Sequence, residues 1–201
     1  MPAQSLETDA LILLKRLPTD SFQGFTAFTA GHGLIHIQYR AARTAPAIDL
    51  FDTVALQLDS SNQGRTWFVR EARLLARPAG IGRSYDALRF ASALATLIAR
   101  NTVHEDSRDA VAHLLSGAFA AFAAGTRPDI VYFKSLYRFA RHEGYPMKEQ
   151  WFPTLPAADR TEVAALLNQP LAGQTTTVAV VARLQRQMED YLRSHTEVLV
   201  D

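Results

Sequence analysis

The period of the hydrophobic pattern changes once along the chain, and that change restricts the possible folds more than any other feature. From Asp9 to about Ala76, the runs ALILLK, SFQGFTAFT, LIHIQYR, TVALQLD and RTWFVREARLLA have strand length, and the third and fourth alternate apolar with polar residues. Turn-forming residues separate them: Leu17-Pro18-Thr19-Asp20, Gly31-His32-Gly33 and Ser60-Ser61-Asn62-Gln63-Gly64. The longer link Ala41 to Asp52, with Pro46, suits a crossover between strands three and four. After Arg77-Pro78-Ala79-Gly80-Ile81-Gly82 the period becomes helical, predicting helices over Ser84–Val103, Ser107–Ala124, Pro128–Glu143, Ala157–Asn168 and Thr176–Ser194. Short strands joined by hairpins and one crossover suit a closed barrel, because closure removes the edge strands that invite aggregation. The expected class is therefore α+β: a five-stranded OB-fold barrel over residues 1–80, then an all-α helical domain over 81–201. An SH3-like barrel would give a similar pattern.

Strand parity assigns faces. In the third strand Ile35, Ile37 and Tyr39 share the inner face, while His36, Gln38 and Arg40 share the outer one. In the fourth, Val54, Leu56 and Leu58 point inward. Among the helices, Leu88, Ala91, Leu94, Ala95 and Ile98 form one apolar stripe, and Val111, Leu114, Leu115, Ala118, Phe119 and Phe122 form another. A third stripe comprises Ile130, Phe133, Leu136, Tyr137 and Ala140. The segment GYPMKEQWFPTLP reads as an ordered loop pinned by Trp151 and Phe152.

Composition narrows the chemistry. With 21 Lys and Arg against 20 Asp and Glu, the formal charge is +1, so any contact with a polyanion has to be local. The chain has no cysteine, which removes disulfides, thiolate metal sites and a cysteine nucleophile. His32, His36, His104, His113, His142 and His195 never fall in HExxH spacing, and His104-Glu105-Asp106 reads as a polar inter-helix loop. GIGRS at Gly80 to Ser84 lacks the lysine and flanking strand of a phosphate loop and reads as a linker. No GxSxG elbow occurs. No cofactor and no enzymatic activity are expected, and the N-terminus lacks the basic and apolar regions of a secretion signal, so a soluble cytoplasmic protein without membrane contact is expected.

The cations are informative by position. Lys15 and Arg16 end the first strand, Arg40 and Arg43 follow the third, and Arg65, Arg70 and Arg73 lie along the fifth. Two readings stay open from the residues alone. They are solvated strand ends, or Lys15, Arg16, Arg40 and Arg43 converge on one rim that contacts phosphates, with His36 and Gln38 on the same outer face. On the third helix Lys134, Arg138 and Arg141 form a cationic flank, which is either a wet face or a site for an anionic partner.

Two stretches resemble the RecO family of bacterial recombination mediators. ALILLKRLPTDSFQGFTAFTAGHGLIHIQYRAAR is similar to that family's opening, with a first strand ending in lysine and arginine, an HG turn, and a small-residue segment with arginines. DIVYFKSLYRFARHEGYPM is similar to its helix of the type FxLxLLxxxGYxP, and together the two span roughly residues 9 to 147. The resemblance implies an OB-fold followed by a helical domain and a non-enzymatic role in DNA repair and recombination. That role is to bind single- and double-stranded DNA, anneal strands and, with RecR, help RecA replace single-stranded DNA-binding protein. It also implies that the helical domain holds the acidic C-terminal tail of that binding protein, a role assigned to Lys134, Arg138 and Arg141. The DNA-binding set is Lys15, Arg16, His36, Gln38, Arg40, Arg43, Arg65 and Arg70. Many family members place a cysteine zinc site after the Gly-Tyr motif; here MKEQWFPTLP stands there, so no zinc is expected. The rival reading is a non-enzymatic adaptor contacting only proteins.

Overall fold

A computed structural model of the chain describes residues 4–19, 21–40, 47–60 and 62–200. It divides into two compact units: Met1–Pro78 with Ile98–Ser116, and Ala79–Leu97 with Gly117–Asp201. Among the described residues no helix is long and apolar enough to cross a membrane.

The first unit holds five strands: β1 (Gln4–Lys15), β2 (Gln23–Thr29), β3 (Gly33–Tyr39), β4 (Thr53–Ser60) and β5 (Trp67–Ala76). They close in the order β1-β2-β3-β5-β4, with β3 and β5 parallel and the other pairs antiparallel. This is the OB-fold barrel that the turns and parity predict. β1 begins earlier than its apolar run, because Gln4–Asp9 pairs with β4 through backbone bonds while Ser5, Glu7 and Asp9 face solvent. Leu11 is shared by both partners, β4 and β2, and a bulge between Ile12 and Leu14 bends the strand from one to the other. Ala10, Ile12, Phe25, Ala27, Ile35, Ile37, Tyr39, Val54, Leu56 and Leu58 fill the interior, matching the inner faces read from alternation. Burying this set supplies the barrel's main driving force.

One ion pair closes the base. Asp52 is fully buried and accepts hydrogen bonds from Arg77 Nε (2.8 Å), Arg77 Nη2 (2.6 Å) and the Asp49 N–H (2.9 Å). Its backbone carbonyl accepts from the Ile12 N–H (2.9 Å), which ties the segment before β4 to β1.

The helices are α1 (Tyr85–Arg100), α2 (Arg108–Ala123), α3 (Pro128–His142), α4 (Ala157–Asn168) and α5 (Val178–His195). The Ser84 hydroxyl accepts from the Ala87 N–H (3.3 Å), an N-cap at the start of α1. Leu88 is 41% exposed, and the buried stripe of α1 instead runs through Ala87, Phe90, Ala91, Leu94, Ala95 and Ile98. Residues 80–84 are not a free linker: Ile81–Arg83 forms a 3-10 turn whose Ile81 is buried.

In the second unit α3 packs against both α4 and α5. That central position buries Val131, Tyr132 and Phe139 in addition to the predicted stripe. The helix ends in a Schellman motif: Gly144 takes a left-handed φ of 86°, its N–H donates to Arg141 O (3.1 Å), and the Tyr145 N–H donates to Ala140 O (3.0 Å). The Gly-Tyr pair is thus a helix stop. The loop that follows is pinned by Met147, Trp151 and Leu155, while Phe152 stays partly open.

Candidate nucleic-acid interface

The barrel's outer surface across β1, β2, β3 and β5 is built from one lateral row. The Arg16 N–H donates to Gly24 O (2.9 Å), Gly24 lies opposite Gln38, and Gln38 lies opposite Phe68. Each of these residues has outward parity, since Phe25, Ile37 and Trp67 one position away pack toward the interior. His36 stands two residues from Gln38 on the same face, and exposed Arg40 continues it past the end of β3.

His36 is tied to the row by its neighbour. Arg16 Nη2 lies 3.2 Å from His36 Nδ1, and Thr26 Oγ1 lies 3.4 Å from the same nitrogen. A guanidinium only donates, so Nδ1 accepts and the ring proton is assigned to Nε2. Desolvation first, and then the Arg16 charge, lowers the His36 pKa below its ordinary 6.5. The ring is therefore neutral at neutral pH. A phosphate seated on Arg16 would favour the imidazolium, so binding takes up a proton. Affinity for an oligonucleotide is expected to rise as pH falls from neutrality into the acid range, and His36→Gln should flatten that rise, as read by anisotropy titrations across pH. Arg16 and Thr26 are the side chains that meet the ring at Nδ1.

The structure separates several of the predicted cations. Lys15 has the parity of Phe25, its partner in register, and reaches Asp49 Oδ1 at 3.5 Å, so it diverges from Arg16. Arg70 Nε lies 3.3 Å from Asp59 Oδ2. Both pairs are exposed, where such contacts contribute little to stability. Arg65 is exposed in the β4–β5 turn, and Arg43 lies outside the described residues. The strip thus holds Arg16 against His36, with Gln38 two residues along β3 and exposed Arg40 just beyond the strand's end.

Another side of the barrel is acidic. Glu7, Gln57 and Glu71 lie in one row across β1, β4 and β5, with Asp9, Ala55 and Arg73 in the next, around a groove of about 480 Å3. A near-zero total charge therefore coexists with a locally cationic strip.

In the second unit the α3 cations split. Lys134 is half-buried and donates to Gln169 O at the end of α4 (2.6 Å); burial first, then Arg138, lowers its pKa. It caps α4. Arg138 and Arg141 instead line a groove of about 420 Å3 whose apolar surface comes from Tyr137, Phe152, Ala164 and Leu167. Lys148 adds a third cation there. Sequence reasoning passed over it because it lies in the irregular loop rather than on the helix stripe.

It also passed over Phe22 and Phe68, whose rings meet edge to face at 5.6 Å and 73° beside the strip. Alternation carried the signal. In Trp67-Phe68-Val69 the two flanking residues pack inward, which leaves Phe68 outside. No protein-family model matches the chain, and no curated protein matches it.

Proposed function

We propose that the protein is a non-enzymatic, DNA-binding recombination mediator of the RecO type, acting at the nucleoid in the cytoplasm. It would bind single- and double-stranded DNA, anneal complementary strands and, with RecR, assist RecA in displacing single-stranded DNA-binding protein. One observation carries the reading: an OB-fold barrel whose outer face carries Arg16 against His36, with Gln38 beside them and exposed Arg40 just past the end of β3. Arg16 and Arg40 supply phosphate contacts, and His36 and Gln38 supply polar groups beside them. The groove holding Arg138, Arg141 and Lys148 over an apolar floor supports the second half of the reading, since it suits an acidic peptide with a hydrophobic side chain, as in the tail of single-stranded DNA-binding protein.

The adaptor reading draws on Lys15 and Arg70, whose carboxylate partners blunt them as phosphate ligands. The discriminating experiment is anisotropy titration of labelled single-stranded and duplex DNA over a range of salt. If Arg16 and Arg40 each neutralise one phosphate, log K falls with log salt at a slope of about 1.4 on single strands and about 1.8 on duplex. Absence of binding at low salt leaves only the adaptor.

A further inference from the structure

We propose that Phe22 and Phe68 form a base-stacking platform that makes the strip select unpaired strands over duplex. This rests on the strip being a DNA-binding surface, and it adds what that surface discriminates.

Phe68 is 39% exposed on the wet face of β5, where the interior needs no ring, because Trp67 and Val69 already pack against the core. Its edge-to-face partner Phe22 is held by a tight turn. The Thr19 N–H donates to Phe22 O (2.9 Å), and the Phe22 N–H donates to Thr19 Oγ1 (3.3 Å). The pair is therefore positioned before any ligand arrives, which lowers the cost of binding.

What lies beside the rings sets the ligand. Gln38 adjoins Phe68 in register, and Gly24 adjoins Gln38. A Cβ at Gly24 would stand 3.4 Å from Arg16 Cβ and 3.5 Å from Gln38 Nε2, so the side chains of the cation and the amide meet over this buried glycine and lie next to one another. Across the strands the row reads cation, glycine, amide, aromatic. Arg16 meets a phosphate, Gln38 can bond a base edge, and Phe68 with Phe22 offers a face to a base plane. In a duplex the base planes are stacked on one another and cannot reach a ring. Duplex DNA would then engage only the cations, while an unpaired strand engages cations and rings together.

The test uses the full chain with a labelled oligothymidylate and a duplex of the same length at matched low salt. Phe68→Ala should weaken oligothymidylate binding about tenfold while leaving duplex affinity unchanged, the intact duplex affinity reporting a folded barrel. Phe68→Leu should show the same loss, since it retains apolar bulk without a ring, and Phe68→Tyr should retain wild-type affinity. Phe22→Ala should lose affinity in the same direction. Unchanged oligothymidylate binding in Phe68→Ala, equal loss on both DNAs, or wild-type behaviour of Phe68→Leu overturns the platform and leaves the phosphate-binding strip standing. Failure of the wild-type chain to bind either DNA overturns both.

Discussion

Arg77→Ala lowers the stability of the barrel by about 3 kcal/mol, the lower end of the range for breaking a buried ion pair. The carboxylate of Asp52 is wholly buried, and Arg77 meets it through two guanidinium nitrogens, Nε at 2.8 Å and Nη2 at 2.6 Å. Arg77 itself is 42% exposed, so solvent screens part of the interaction and the upper end of the range does not apply. The Asp52 hydrogen bond, followed by desolvation in the opposite sense, leaves the Arg77 pKa above its ordinary value, so the guanidinium stays charged at every accessible pH. Without it, Asp52 keeps only the Asp49 N–H as a charge-stabilising donor among the bonds described above. Urea unfolding of the variant beside the wild-type chain measures the deficit. A deficit below about 1 kcal/mol would mean that packing, not charge, holds the segment before β4.

Trp151→Ala has the largest expected effect in the second unit, about 3–5 kcal/mol for truncating a buried tryptophan. Trp151 is almost fully buried, and its ring lies 6.2 Å from that of Tyr137. It therefore anchors the loop that carries Lys148 and Phe152 to the helix that carries Tyr137, Arg138 and Arg141. Removing it should lower the thermal midpoint of this unit and also abolish binding of an acidic peptide ending in a hydrophobic residue. The control is Arg138→Glu with Arg141→Glu, which alters only exposed side chains. That pair should remove peptide binding with little change in midpoint. Peptide affinity unchanged in the charge-reversed variant would remove the groove from the proposed role.

The helices were legible because their periods are long: α4 spans the predicted residues, and α2 and α3 differ by a residue at their ends. Leu88 was misplaced because the α1 sequence supports two neighbouring stripes, and the one chosen by packing runs through Phe90. The first residues of β1 could not be read, since QSLETD is polar and its strand character comes from backbone pairing with β4 rather than from its side chains. At the interface, parity alone placed His36, Gln38 and Arg40 together. Parity also separates Lys15, the last residue of β1, from Arg16 directly after it, since the two point to opposite faces and form no single cluster. What no pattern revealed was pairing at a distance. Asp49 is remote in sequence from Lys15, and Gln169 from Lys134, yet these contacts decide which cations stay available.

The most direct measurement is the affinity of the wild-type chain and of an Arg16→Ala, Arg40→Ala variant for labelled single-stranded DNA over a series of salt concentrations. Binding that weakens with salt at a log–log slope of about 1.4 in the wild type, and a slope close to zero in the variant, is the expected result. Wild-type affinity that ignores salt, or a variant indistinguishable from wild type, would mean that the outer row of the barrel does not hold a nucleic-acid backbone.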